Sequence, residues 1–156
     1  MELKTQIRQL MTELGPVLDL AAVAEYEDGN AWSLALDEET EVWIDYDEAN
    51  GRLILTTEVG APTEENPYKL YETLLVYNNQ WQQTGGVRMA LDAPGGAVIQ
   101  SFELGTEGLD IGKLARVVQN FVDVRQGWRE AVTGAPDAQE DDEAPFAAPP
   151  SGGLRV

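Results

Sequence analysis

The chain has 156 residues, 28 of them acidic and 10 basic for a formal net charge of −18, with neither cysteine nor histidine. That length holds one domain with a core of its own, and the missing thiols and imidazoles exclude disulfides, thiolate chemistry and the commonest general base and transition-metal ligand. The acidity opposes nucleic-acid phosphates and anionic membranes and favours solubility or a basic partner; residues 137–156 carry five acids against one base, which leaves −14 for residues 1–136.

From Glu2 to Leu14 the apolar residues Leu3, Ile7, Leu10, Met11 and Leu14 recur at helical spacing, and Gly15-Pro16 reads as the stop. These opening residues lack a basic-then-apolar targeting pattern, and no run is long enough to span a bilayer, so a soluble cytoplasmic protein without membrane insertion is expected. The residues through Asp28-Gly29-Asn30 read as a linker. Three alternating stretches follow, Trp32 to Leu36, Val42 to Tyr46 and Leu53 to Val59, joined by the turn-forming Asp37 to Thr40 and Asp47 to Gly51. They predict an antiparallel meander. Trp32, Leu34, Leu36, Val42, Ile44, Tyr46, Leu53 and Leu55 would share one face, while Trp43 and Ile54 point to the other.

A helix is predicted from Tyr68 to Trp81, capped by Thr63 or by Asn66 with Pro67 in its first turn, and ended by Gly85-Gly86. It carries more apolar surface than one core needs. Tyr71, Leu74, Leu75 and Asn78 lie on one face, and Leu70, Leu74, Tyr77 and Trp81 form a second seam. Either its own domain wraps this helix on both sides, or one side faces a second copy of the chain. Two more strands, Val87 to Leu91 and Ala97 to Glu103, are joined by the turn Asp92 to Gly96. The last helix starts at the N-cap Asp110 and buries Ile111, Leu114, Val118, Phe121, Trp128 and Val132 before Gly134 stops it. From Ala135 the composition turns to Pro, Ala, Gly and acid, so a disordered tail over 135–156 is expected beyond a domain of residues 1–134. The fold class is α+β, an antiparallel twisted sheet with three helices in the order α-β-β-β-α-β-β-α.

Catalytic chemistry is hard to find. Asp45 to Gly51 hints at a calcium loop, but the fifth, sixth and twelfth positions are Ala49, Asn50 and Thr56, and the flanks read as strands. Gly85-Gly86 and Gly105 to Gly108 lack the strand and helix context of a phosphate loop. Ser33, Ser101 and Ser151 have no histidine to activate them. Neither an enzyme nor a cofactor or metal site is expected, which leaves surface recognition as the function.

The word Leu70-Tyr71-Glu72-Thr73-Leu74-Leu75-Val76-Tyr77-Asn78, following the strand Gly51 to Leu55 and followed by Leu114 to Phe121 and Trp128, resembles the class I type III secretion chaperones, the Tir-chaperone (CesT-like) family. The resemblance covers about Leu3 to Val132. It implies a cytoplasmic homodimer that binds the amino-terminal region of a secreted effector in extended form and keeps it soluble. Dimerisation in the family uses the second helix and the strand after it, which places Leu70, Tyr77, Trp81, Val87 and Met89 near the interface. Effector grooves would draw on the first helix and the meander, with Leu10, Leu14, Trp43 and Ile54 as candidates. Two other readings compete: a small acidic regulatory or scaffold domain that binds a folded protein, and an acidic nucleic-acid mimic that occupies a basic surface.

Overall fold

The computed structural model describes residues 2–63 and 65–134; the tail expected over 135–156 lies outside them. The elements in chain order are α1 (Leu3–Leu18), β1 (Ala22–Tyr26), β2 (Ala31–Ala35), β3 (Glu41–Asp47), β4 (Arg52–Gly60), α2 (Tyr68–Asn79), α3 (Trp81–Thr84), β5 (Arg88–Leu91), β6 (Val98–Gly105) and α4 (Ile111–Thr133). The six strands form one antiparallel sheet in the order β1-β2-β3-β4-β6-β5. By its contacts the chain divides into two compact units. Unit 1 comprises Met1–Thr57 with Ser101–Gln119, and unit 2 begins with Glu58–Gln100 and continues from Asn120.

Unit 1 is built on the alternation of β2, β3 and β4. Trp32, Leu34, Val42, Ile44, Tyr46, Leu53 and Leu55 are all buried on one side, as strict period-two patterning requires. Ile7, Met11 and Leu14 of α1 and Leu114, Val117 and Val118 of α4 are buried in the same unit. Each such side chain stabilises the fold by about 1.5–3 kcal/mol relative to exposure. The turns are made by side chains acting on backbone. Asp37 Oδ1 accepts from the N–H groups of Glu39 and Thr40, both at 2.8 Å. Asp47 Oδ1 accepts from the Asn50 N–H, and Gly51 closes that 3-10 turn in the left-handed region at φ 61°. Arg52 then bridges Asp47 at 2.8 Å and Glu103 at 2.9 Å.

Two features of unit 1 differ from the sequence expectation. The meander has a fourth strand, β1, in residues read as linker: Tyr26 pairs with Ala31 and Ala22 with Ala35. This strand sits at the sheet edge and is mostly exposed, so it never acquires the apolar alternation of a half-buried strand. Helix α1 also continues past Gly15-Pro16 to Leu18. A proline ring normally clashes with the residue before it, but a glycine there has no Cβ to meet, and the helix runs on for part of a turn. The turn ends at Asp19, at φ 53°, while the Leu20 N–H reaches back to the Gly15 carbonyl at 2.8 Å.

Unit 2 is organised around the last part of α4, where Phe121, Val124, Trp128 and Val132 are buried together with Leu70, Leu74 and Tyr77 of α2. The Tyr77 and Trp128 rings meet edge to face with centroids 5.0 Å apart. Polar side chains then bond to main-chain carbonyls of α4 and β4. Gln100 Nε2 donates to the Phe121 carbonyl, Arg125 Nε to the Glu58 carbonyl and Thr63 Oγ1 to the Thr133 carbonyl, each at 2.8 Å. The Asn66 side chain accepts from the Tyr68 N–H at 3.3 Å at the head of α2. Asp110, in unit 1, accepts from the Lys113 N–H at 2.8 Å as the cap of α4, while Ile111 is only half-buried. Instead of one helix running to Gly85, α2 breaks at Gln80 (φ −91°, ψ 37°) and a single turn, α3, follows.

Candidate self-association and partner-binding surfaces

The break at Gln80 decides which face of α2 is left over. Residues at 3.6-residue periodicity keep a common face only while the helix is continuous, so Trp81 leaves the seam begun by Leu70 and Leu74. Leu70, Leu74 and Tyr77 are turned inward and buried, and so are Val87 and Met89 beside them. The apolar side chains that remain outward are Tyr68 (71% exposed), Leu75 (69%), Val76 (58%) and Trp81 (63%). Of the five residues expected near a dimer interface, the structure therefore leaves Trp81 at the surface and uses Leu70, Tyr77, Val87 and Met89 inside the unit. The excess apolar surface of this helix is real; it lies on the side opposite the seam that sequence reasoning selected. Leu75 was visible in the pattern; Tyr68 and Val76, which share its outward face at i, i+7 and i+8 spacing, were passed over in favour of the Leu70 seam.

Asn78 contributes a different function from the one its place in that pattern suggested. Its Nδ2 donates to the Met89 carbonyl and its Oδ1 accepts from the Met89 N–H, both at 2.8 Å. A side-chain amide thus occupies both backbone groups of Met89 in β5, the other edge strand of the sheet. The β1 edge has no such cover among the described residues.

The effector candidates fall into separate places in unit 1. Leu10 lines a groove of about 520 Å³ with Leu3, Ile7, Gly51, Thr106 and Leu109. Leu14 is fully buried in the core, because the extended α1 turns it inward with Ile7 and Met11. Beside the other end of α1 lies a second groove of about 470 Å³, lined by Met11, Gly15, Pro16, Leu20, Val23 and Trp32. Val23 belongs to the edge strand β1 and is itself exposed. Sequence reasoning missed this groove together with β1; the signal was Ala22 to Tyr26 followed by a turn rich in Asp and Gly.

Trp43 and Ile54 lie on the opposite side of the meander, as expected. Cross-strand register puts Tyr26, Ala31, Asp45 and Ile54 in one row, and Ala24, Ser33, Trp43 and Thr56 in the next. Tyr26 and Trp43 lean together with ring centroids 5.2 Å apart, tilted by 40°. Beneath them the small residues Ala31 and Ser33 are buried although they face outward. Desolvation, and secondarily the charge of Glu27, holds the Asp45 carboxyl above its ordinary pKa. Next along the strand, Asp47 is held below its ordinary value by hydrogen bonds from Asn50 and Arg52.

Among the described residues no group of three or more Asp and Glu side chains is arranged to hold a metal ion, and no helix is long and apolar enough to cross a membrane.

The sequence profile of the Tir chaperone protein (CesT) family matches residues 9–129. No curated protein sequence matches. Among solved structures, the chain is similar to one in the crystal structure of the ExsC-ExsE complex, at 19% identity and a TM-score of 0.73, covering 87% of this chain and 100% of that one. It is similar to one in the HopA1-SchA chaperone-effector complex at 20% identity and a TM-score of 0.63, covering 79% and 92%. A chain in the heterodimeric ExoU-SpcU complex from the type III secretion system of Pseudomonas aeruginosa matches at 17% identity and a TM-score of 0.54, covering 85% and 99%. At these identities the likeness is one of fold.

Proposed function

The chain belongs to the Tir chaperone protein (CesT) family and is a type III secretion chaperone that binds an effector, and we propose that it does so in the cytoplasm, as a homodimer, by taking the effector's amino-terminal region in extended form. The observation that carries the binding mode is the uncovered β1 edge beside the Met11–Val23–Trp32 groove. An extended segment can add backbone hydrogen bonds to such an edge while its alternate side chains fill the groove. A segment bound this way stays unfolded and wraps a large surface without the chaperone needing catalysis. Leu10 serves the same role at the α1 groove, whereas Leu14 acts from beneath as core.

The dimer is proposed through the outward side of α2 and α3: Tyr68, Leu75, Val76 and Trp81, with Leu70, Tyr77, Val87 and Met89 supporting them from inside. Exposed aromatic and aliphatic side chains of this size on one short helical segment are what interface cores are made of. Two measurements test the reading. Coexpression with an effector encoded beside this chain should yield a soluble complex in which amide exchange slows over Ala22–Tyr26; a complex with unchanged exchange there would remove the strand-addition mode. Leu75→Glu with Trp81→Glu should halve the mass seen by light scattering, and a variant of unchanged dimeric mass would remove the interface.

A further inference from the structure

We propose that the outward side of the β1–β4 meander is a second seat for the partner chain, one that takes an arginine-bearing apolar segment with the guanidinium on Asp45 and its plane against Tyr26 and Trp43. The proposal rests on the chaperone reading and adds the chemistry of one ligand contact. Three observations carry it. First, two large rings lean together beside the small buried residues Ala31 and Ser33, and both rings belong to exposed side chains. Second, Asp45 sits in the row between Ala31 and Ile54, beside that bridge. No hydrogen bond or ion pair joins its side chain to a described residue, whereas Asp47, two positions along the same side, is bonded to Arg52 and Asn50. Third, Glu27, which adjoins Tyr26, adds negative potential at the same place.

Asp45 is exposed at the surface beside these apolar side chains, and a carboxylate so placed, lacking a cation, gains most from a partner that brings charge and an apolar body together. Arginine suits this better than lysine, because its planar guanidinium pairs with a carboxylate while it lies on a ring face. Charge also selects among occupants. A second copy of this chain would present the same acidic side to itself and be repelled, and residues 137–156 carry a net −4 by sequence. A basic, apolar segment of another protein is the occupant that remains.

The test uses the full chain and a fluorescein-labelled, end-blocked peptide, Leu-Arg-Ile-Arg-Leu, against the same peptide with citrulline in place of arginine, by fluorescence anisotropy at physiological salt. Citrulline keeps the shape and removes the charge. The arginine peptide should bind about tenfold more tightly than the citrulline peptide. Asp45→Asn and Trp43→Ala should each remove most of that ratio, and Glu38→Gln, an exposed acid elsewhere, should preserve it. A ratio that survives Asp45→Asn would mean attraction by net charge alone and overturn the site, as would an arginine peptide that fails to bind the parent chain. If Arg155→Gln tightens peptide binding, the chain's own terminus is the occupant and the proposal falls. Effector capture with slowed exchange at β1 but no peptide binding would remove this seat and leave the chaperone reading standing; peptide binding without effector capture would do the reverse.

Discussion

Replacing Asn78 by alanine removes both bonds that hold β5 to α2. Each is 2.8 Å long and half-buried, and a net contribution of about 1 kcal/mol per bond gives a loss of about 2 kcal/mol. For a chain of this size that corresponds to a fall in melting temperature of about 4–8 °C. Urea unfolding followed by circular dichroism should show the midpoint drop with no change in slope. Protein concentration must be equal for both proteins, since self-association adds to apparent stability. Asn78→Asp sharpens the test. Its carboxylate can still accept from the Met89 N–H but meets the Met89 carbonyl with a second acceptor. It should therefore be less stable than Asn78→Ala near neutral pH and regain ground as acid protonates it into a donor. A loss below about 0.5 kcal/mol in Asn78→Ala would show that water replaces both bonds without penalty and that the amide does not guard the β5 edge.

Asp47 lies below its ordinary pKa of 3.8 because Asn50 and then Arg52 bond its charged form; that stabilisation is present above 3.8 and is lost as pH falls through the lowered value. Asp47→Asn should accordingly flatten the acid-side decline in melting temperature. Asp45 has the opposite sign: its pKa is raised by desolvation and then by Glu27, so its ionisation weakens the fold as pH rises through 3.8 and beyond. Asp45→Asn should melt higher than the parent chain near neutral pH and lose that advantage at pH below about 3. Asp110→Ala removes the cap that accepts from the Lys113 N–H and should lower stability by about 1 kcal/mol in urea. Gly60→Ala places a Cβ 2.5 Å from Thr133 Cγ2 at φ 148°, so it should lower stability in urea by more than about 1 kcal/mol, opposite in sign to the gain of about 0.4–1 kcal/mol that alanine brings where the backbone accepts it.

The parts of the fold legible in the sequence are those where one physical rule acts alone. Period-two alternation assigned Trp32, Leu34, Leu36, Val42, Ile44, Tyr46, Leu53 and Leu55 to one face, and all but Leu36, which lies past the end of β2 and is half-buried, are buried. Asp110 was recognisable as a cap because a short acceptor before a helical run has few other uses. Strand β1 left only the Asp- and Gly-rich turn after Tyr26 as its signal, because an exposed edge strand held by backbone pairing has no need of an apolar pattern. Pro16 misled for a related reason: part of its usual conflict is with the Cβ of the residue before it, which Gly15 lacks, and it falls in the last turn of α1, where only two residues follow. In α2 two apolar seams were evident but not their direction. That depended on whether the helix continued through Gln80, and Gln80 carries no strong stop signal. Asn78 looked like one more position on a helical face; its role appears only once β5 lies within hydrogen-bond reach.

Charge explains why the two exposed apolar surfaces should serve different partners. Around Leu75 and Val76 the charged side chains on α2 are Lys69 and Glu72, which balance, with Asn78, Asn79, Gln80, Gln82 and Gln83 neutral. Two copies can bring that surface together without facing like charges, which matters for a chain whose formal charge is −18. The meander surface around Tyr26 and Trp43 has Glu27, Glu41 and Asp45 beside it and no cation bonded to Asp45. Pairing it with its own copy would stack carboxylates, while a basic segment would neutralise them. If raised salt strengthens self-association but weakens capture of a basic segment, the two surfaces divide the work in this way. A common salt response for both would mean that net charge alone governs the two events.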